Sequence, residues 1–280
     1  MVADFTIYGF ADECQKFDER HPLWHEIMSN LERALNLAFT RVQTMSLIED
    51  KLVYFLGRAC VKDFLEITLV CYHGYGTAAA KLLRSMYERT VTLRFIHENP
   101  CEAVLFKEYH PVQQDKLFSR LIETFGPDIL PTEVIEETHR RAAAVREKYM
   151  ITHCEKCETK RLNHTWNKLD FVAMAKKTGG GLDKMILPGY YFPLRHAHPT
   201  FAGLSEGFEI VNGTLTPGPD SNPDLADRSL TTAHNCILNV LEVQNERFKI
   251  EGLVEANQVC LKDWVRVWSP ESSLLNEESA

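Results

Sequence analysis

No run of apolar residues approaches the roughly 20 needed to cross a bilayer, so no transmembrane helix is expected. No excess of basic charge is present either. The formal net charge of the 280 residues is −8, which excludes a global cationic field for nucleic acid and leaves only local basic patches. The first residues, MVADFTIYGFADECQKFDER, lack a basic segment followed by an apolar run, so a signal peptide is not expected. There is no internal repeat, no low-complexity tract and no glycine-rich phosphate loop. The spacing of the eight cysteines does not suggest a disulfide framework. Most stand singly in apolar helical stretches, where a small thiol packs well, and that usage fits a reducing cytoplasm.

What is present is helical periodicity. The stretch from Gly76 to Asn99 has neither Pro nor Gly after its first residue. It places Ala79, Leu83, Met86, Thr90 and Leu93 on one face of a long central helix. Further helices are expected over 22–44, 46–71, 102–125 (kinked at Pro111), 132–150, 167–177, 182–200 (with a break at Pro188 or Pro193), 224–250 and 253–268. Asn212-Gly213, between FEIV and TLT, is a type I′ turn signal and predicts a two-stranded hairpin. The fold class read from these patterns is all-α: a multi-helix bundle with a small β-hairpin insertion at about 205–221. Residues 1–18 are expected to be an irregular arm, 19–268 a single helical domain and 269–280 a disordered tail.

Several constellations bear chemistry. Arg84 and Glu88 form an i,i+4 pair at the edge of the central helix's apolar arc. They are either a boundary pair facing water or a half-buried pair serving a site. Arg195-His196-Ala197-His198-Pro199 follows Tyr190 and Tyr191, and imidazole suits proton transfer near neutral pH. In a helix His196 and His198 point apart, whereas in extended chain both face one way; a surface turn is the other reading. His153-Cys154-x2-Cys157-x6-His164 has the grammar of a zinc knuckle, with free surface thiols as the alternative; zinc is the one cofactor to consider. Arg146 to His153 and Arg228 to His234 have an Arg-x4-6-His spacing that could position a phosphate and move a proton, although chance produces such spacings. Glu136-x-x-His139 is half of a di-iron bundle motif without its second half.

Three stretches together carry a family resemblance: AAAKLLRSMYERTVTLRFI (78–96), TWNKLDFVAMAKKTG (165–179) and YYFPLRHAHPTFAGL (190–204). The chain resembles the domain of unknown function five-six-seven-seven, a largely bacterial helical family without an assigned reaction. The family's motifs would fall on Arg84 and Glu88, Trp166, Tyr190 and His198-Pro199-Thr200. Leu194 departs from the Ser that many members carry, which weakens a transferred proton relay. The resemblance implies a distant likeness to the HEPN superfamily of helical ribonucleases and nucleotide binders, at fold level alone.

Two function classes follow. In the first, the protein is a non-catalytic binding or regulatory module, with Arg84, Glu88 and His198 as a structural network. In the second, it is a HEPN-like ribonuclease or nucleotide-acting enzyme. Arg84 then holds phosphate, Glu88 orients it and His198 is the acid or base. Tyr190, Arg195, His196 and Trp166 are the candidate phosphate- or partner-binding residues. The candidate partners are a protein, or RNA or a nucleotide.

Overall fold

Apolar residues at every third and fourth position decide the architecture, because each such stripe must be buried against another. The computed structural model describes residues 9–10, 12–40, 45–154, 159–218 and 221–268, without the side chains of His153, Cys154 and Val211. In chain order the helices are α1 (Glu13–Arg20), α2 (Trp24–Phe39), α3 (Ile48–Tyr72), α4 (Gly76–Glu98), α5 (Glu102–Glu108), α6 (His110–Phe125) and α7 (Thr132–Val145). They continue with α8 (Phe171–Lys177), α9 (Phe192–Ala197), α10 (Phe201–Ser205), α11 (Pro223–Phe248) and α12 (Leu253–Trp268). Two antiparallel hairpins complete it: β1 (Met150–Cys154) with β2 (Thr159–Leu162), and β3 (Phe208–Val211) with β4 (Thr214–Pro217). The fold is the expected all-α bundle with a small hairpin.

The bundle is built on α3, α4 and α11, which pack on one another most extensively, with α2 and α12 paired beside them. One continuous core runs from Phe17 to Cys260 and includes Leu83, Met86, Tyr87, Leu93, Ile237 and Leu241. Burial on nearly all sides explains the wide apolar arc of α4. The close crossing of α4 and α11 needs Gly76. A Cβ there would stand 2.2 Å from the Asn222 carbonyl oxygen and 2.8 Å from the Ala226 nitrogen, both backbone atoms. The burial of four cysteines (Cys60, Cys71, Cys236 and Cys260) raises their thiol pKa values, Cys60 to about 12, so they stay protonated and inert.

Some elements differ from the sequence reading. Residues 13–20, which take in the last part of the expected irregular arm (1–18), form α1. Phe17 is fully buried there and meets Trp24 and Tyr72 edge-on, at ring-centroid distances of 5.5 and 5.3 Å. The helix expected over 102–125 is two helices. Pro111 lacks an amide hydrogen and crowds the preceding turn, so α5 stops at Glu108 and α6 restarts at His110. Residues 182–200 are broken around Pro188 and Pro193, the two positions at which a break was expected. A 3-10 turn (Leu182–Met185) and a π turn (Leu187–Tyr191) precede α9. Pro193 cannot donate to the carbonyl one turn back, and a widened turn accommodates the lost bond. The Asn-Gly signal holds: Asn212 and Gly213 both take positive φ, 52° and 77°, between β3 and β4. The β1–β2 hairpin was not expected as strands. The expected tail at 269–280 and residues 1–8 lie outside the described residues. Among the described residues no helix is long and apolar enough to cross a membrane.

Candidate functional site: a cleft between α4, α9 and α11

The middle of α4 seats the irregular 182–191 segment. The Tyr87 hydroxyl donates to the Leu182 carbonyl at 2.6 Å, and burial raises its pKa. Gly189 lies flat on the Tyr87 ring, where a Cβ would approach within 2.7 Å. Phe171 of α8 meets Tyr87 edge-on and stacks on Tyr190, at centroid distances of 5.7 and 4.8 Å. Tyr190 in turn lies under Arg84, whose guanidinium carbon is 4.8 Å from the ring centroid. Arg84 Nε donates to Glu88 Oε1 at 3.0 Å, and Arg84 Nη1 is 3.4 Å from His198 Nε2. Residues 84 and 198 are therefore neighbours. They lie at the surface rather than in the core: the Arg84 and Glu88 side chains are 23% and 41% exposed, and His198 is exposed.

His196 and His198 diverge because α9 ends between them, so neither the all-helical nor the all-extended reading describes the pair. His196 is in the last turn of α9, whereas His198 has extended backbone (φ −122°, ψ 153°) and leaves toward Arg84. His196 instead enters a cleft of about 350 Å³ between α4, α9 and α11. Its side chain is 6% exposed, and Nε2 lies 3.4 Å from Glu206 Oε2. Burial holds its pKa below the ordinary imidazole value. Glu206 opposes that shift, and the positive charges of Arg195 and Lys81 add to it. The other oxygen of Glu206 pairs with Arg195 Nη2 at 2.8 Å.

Glu206 is delivered by α10, which is fastened to α9. Thr200 caps α10 by accepting from the Gly203 amide at 3.0 Å, and its hydroxyl donates to the Arg195 carbonyl at 2.9 Å. Gly203 is required, because a Cβ there would be 2.3 Å from the Arg195 carbonyl oxygen. The opposite wall is α11, with Leu225, Arg228 and Ser229, and the apolar floor includes Ala80, Leu83 and Phe192. Arg228 is exposed and, among the described residues, neither it nor Lys81 has an ion-pair partner.

The other sequence candidates are not gathered here. Trp166 packs on Phe95 and Phe106 at 6.0 and 5.2 Å; Phe95 is about 16 Å beyond Arg84 along α4 at 1.5 Å per residue. There it borders a second cavity of about 460 Å³ with Tyr109 and Arg141. Arg228 and His234 do not cooperate. Six residues of helix turn them to different faces, and His234 is buried, accepting from Trp268 Nε1 at 3.2 Å. His139 pairs with Asp115 of α6, which also lies 3.6 Å from Arg146, rather than with Glu136. The zinc reading rests on residues outside the description: Cys157, and the side chains of His153 and Cys154. His164 is exposed, with Nε2 3.5 Å from Arg161 Nη1. Among the described residues no three metal-ligating side chains are grouped. Sequence reasoning missed Lys81 and Glu206, neither of which stands in a motif. Arg228 was singled out as a phosphate-positioning guanidinium, but with His234 as its partner rather than His196.

The family model described as "Family of unknown function (DUF5677)" matches residues 50–213. The chain belongs to this family. The matched span carries Arg84, Glu88, Tyr190, Arg195, His196, His198 and Glu206, whereas Arg228 of α11 lies beyond it. Comparison with curated proteins finds no match, and neither does comparison with solved structures.

Proposed function

We propose that this member of the family is a non-catalytic binding module whose ligand enters the cleft between α4, α9 and α11. One observation carries the reading: the Arg84 guanidinium is engaged on three sides. Glu88 takes Nε, His198 approaches Nη1 and Tyr190 covers the face. A guanidinium engaged in this way serves as a strut. It ties α4 to the segment leading into α9, and so fixes the wall of the cleft that bears His196. The cleft has the volume and the mixture of apolar wall and few polar groups typical of small-ligand sites.

The competing reading is a HEPN-like ribonuclease or nucleotide-acting enzyme that uses Arg84, Glu88 and His198. It draws on the same 3.4 Å approach of His198 to Arg84. An RNA-degradation assay separates the two. The binding reading expects no difference between wild type and His198→Ala; cleavage by the wild type that His198→Ala abolishes would reject it. The strut has its own test. Arg84→Met removes a part-buried i,i+4 ion pair at the surface worth roughly 0.3–0.5 kcal/mol and a cation–π contact worth roughly 0.5–1 kcal/mol. Its expected cost is therefore about 1 kcal/mol in urea denaturation. A loss above about 3 kcal/mol would mean a deeper structural role than a strut at the surface.

A further inference from the structure

The charges around the cleft are unlike those of the chain as a whole. A protein with net charge −8 places Arg195, His196 and Arg228 on the cleft wall, and Lys81 close enough to shift the His196 pKa. The only carboxylate on that wall, among the described residues, is Glu206. It reaches Arg195 with one oxygen and His196 with the other, at 2.8 and 3.4 Å. Two oxygens of one planar group facing a guanidinium and a buried imidazole is how an external oxyanion would be held. The remaining wall is apolar: Ala80, Leu83, Phe192 and Leu225.

We propose that the cleft binds a small organic phosphate, with its phosphate displacing the Glu206 carboxylate from Arg195 and His196 and its apolar body lying against Leu83 and Phe192. This rests on the binding-module reading above and names its ligand class. Arg228, free of an ion-pair partner among the described residues, supplies the additional cation that a phosphate dianion needs and a single carboxylate does not. Glu206 then acts as a built-in competitor. It keeps the buried imidazole and Arg195 satisfied when the cleft is empty, and it must swing away with α10 and the β3–β4 hairpin, or by its own rotamers, for the ligand to enter. A phosphate is favoured over a carboxylate because three cationic or hydrogen-bonding side chains approach from two walls. A planar carboxylate, as Glu206 itself demonstrates, uses only two of them.

The test is calorimetric titration of the full chain with 1-naphthyl phosphate, 1-naphthol and inorganic phosphate, using wild type, Arg228→Ala and Glu206→Gln. Both substitutions are at exposed or partly exposed side chains. Circular dichroism melts of each variant verify that it is folded. The proposal expects 1-naphthyl phosphate to bind at least tenfold more tightly than either 1-naphthol or inorganic phosphate. Arg228→Ala should weaken that binding about tenfold or more, and Glu206→Gln should tighten it several-fold, since the competing charge is gone. Equal binding of 1-naphthol and 1-naphthyl phosphate would overturn the phosphate assignment while leaving a binding cleft. Weaker binding by folded Glu206→Gln would overturn the competitor role. Failure of all three probes to bind wild type and Glu206→Gln would overturn this proposal together with the reading it rests on.

Discussion

Replacing Arg94 by Leu removes the most deeply held charge on the central helix. The Arg94 side chain is 9% exposed. Its Nε donates to Glu98 Oε1 at 3.0 Å, and its Nη1 to the Glu242 carboxylate of α11. Burial opposes the charged form, but the two carboxylates more than offset it and raise the pKa. The glycine turn before Leu182 rests on this group. The Gly179 amide donates to Glu98 at 3.0 Å, and a Cβ on Gly180 would stand 2.8 Å from Arg94 Nη1. Breaking a buried pair by removing one partner costs about 3–5 kcal/mol. Here Glu98 and Glu242 are 30% and 47% exposed, so water can take up much of their charge. The lower end, about 3 kcal/mol, is therefore expected. At roughly 2–4 °C per kcal/mol for a chain of this class, the melting temperature should fall by about 6–12 °C. The assay is thermal and urea denaturation followed by far-ultraviolet circular dichroism. Adding Glu98→Gln and Glu242→Gln to Arg94→Leu should restore part of the loss, because neither carboxylate that bonds Arg94 is then left beside an apolar side chain. A loss below about 1 kcal/mol for Arg94→Leu, or a further loss in the triple variant, would refute the reasoning.

Gly76→Ala should lower the urea midpoint by an amount worth about 2–3 kcal/mol, since α4 and α11 must part to admit the methyl group. No loss would mean that the crossing is looser than described. Stability should also fall on acidification. Burial holds the His234 pKa at about 4 in the folded state against an ordinary value of 6.5. The unfolded chain therefore takes up a proton first, and stability present above pH 6.5 is lost as pH drops toward 4. At 1.36 kcal/mol per unit the full loss from this group is about 3 kcal/mol. Urea denaturation at pH 7, 5.5 and 4.5 checks it. His234→Gln, which has no charge to gain, should flatten that part of the profile, and an unchanged profile would contradict the assignment.

The architecture was largely legible in the sequence. The central helix was expected over 76–99 and spans Gly76–Glu98, because nothing in that stretch interrupts the 3.6-residue period before Asn99 and Pro100. The Asn-Gly turn is equally local, as only a residue tolerant of positive φ fits there. Phe17 was not legible. A single aromatic among charged residues has no period, and its helix is held by distant partners such as Tyr72. The approach of residues 84 and 198 was legible from two motifs, and the boundary position of Arg84 and Glu88 from their place at the edge of the apolar arc. The cleft was half legible. His196 stood out as an imidazole beside Arg195, but Glu206 reaches it through a hydrogen-bonded turn at Thr200, and Arg228 comes from a helix beyond the family span. The reach of Glu206 is a tertiary fact without a sequence signature, and Arg228 stood out only through its spacing to His234, which the helix turns to another face.

The most direct measurement of the central claim is a titration of isotopically labelled protein with 1-naphthyl phosphate, following backbone amide shifts. Saturable shifts are expected, largest at Leu83, His196, Glu206 and Arg228, on the three walls of one cleft. Shifts that are largest instead around Tyr109 and Trp166, at the second cavity, or that nowhere saturate, would contradict that claim.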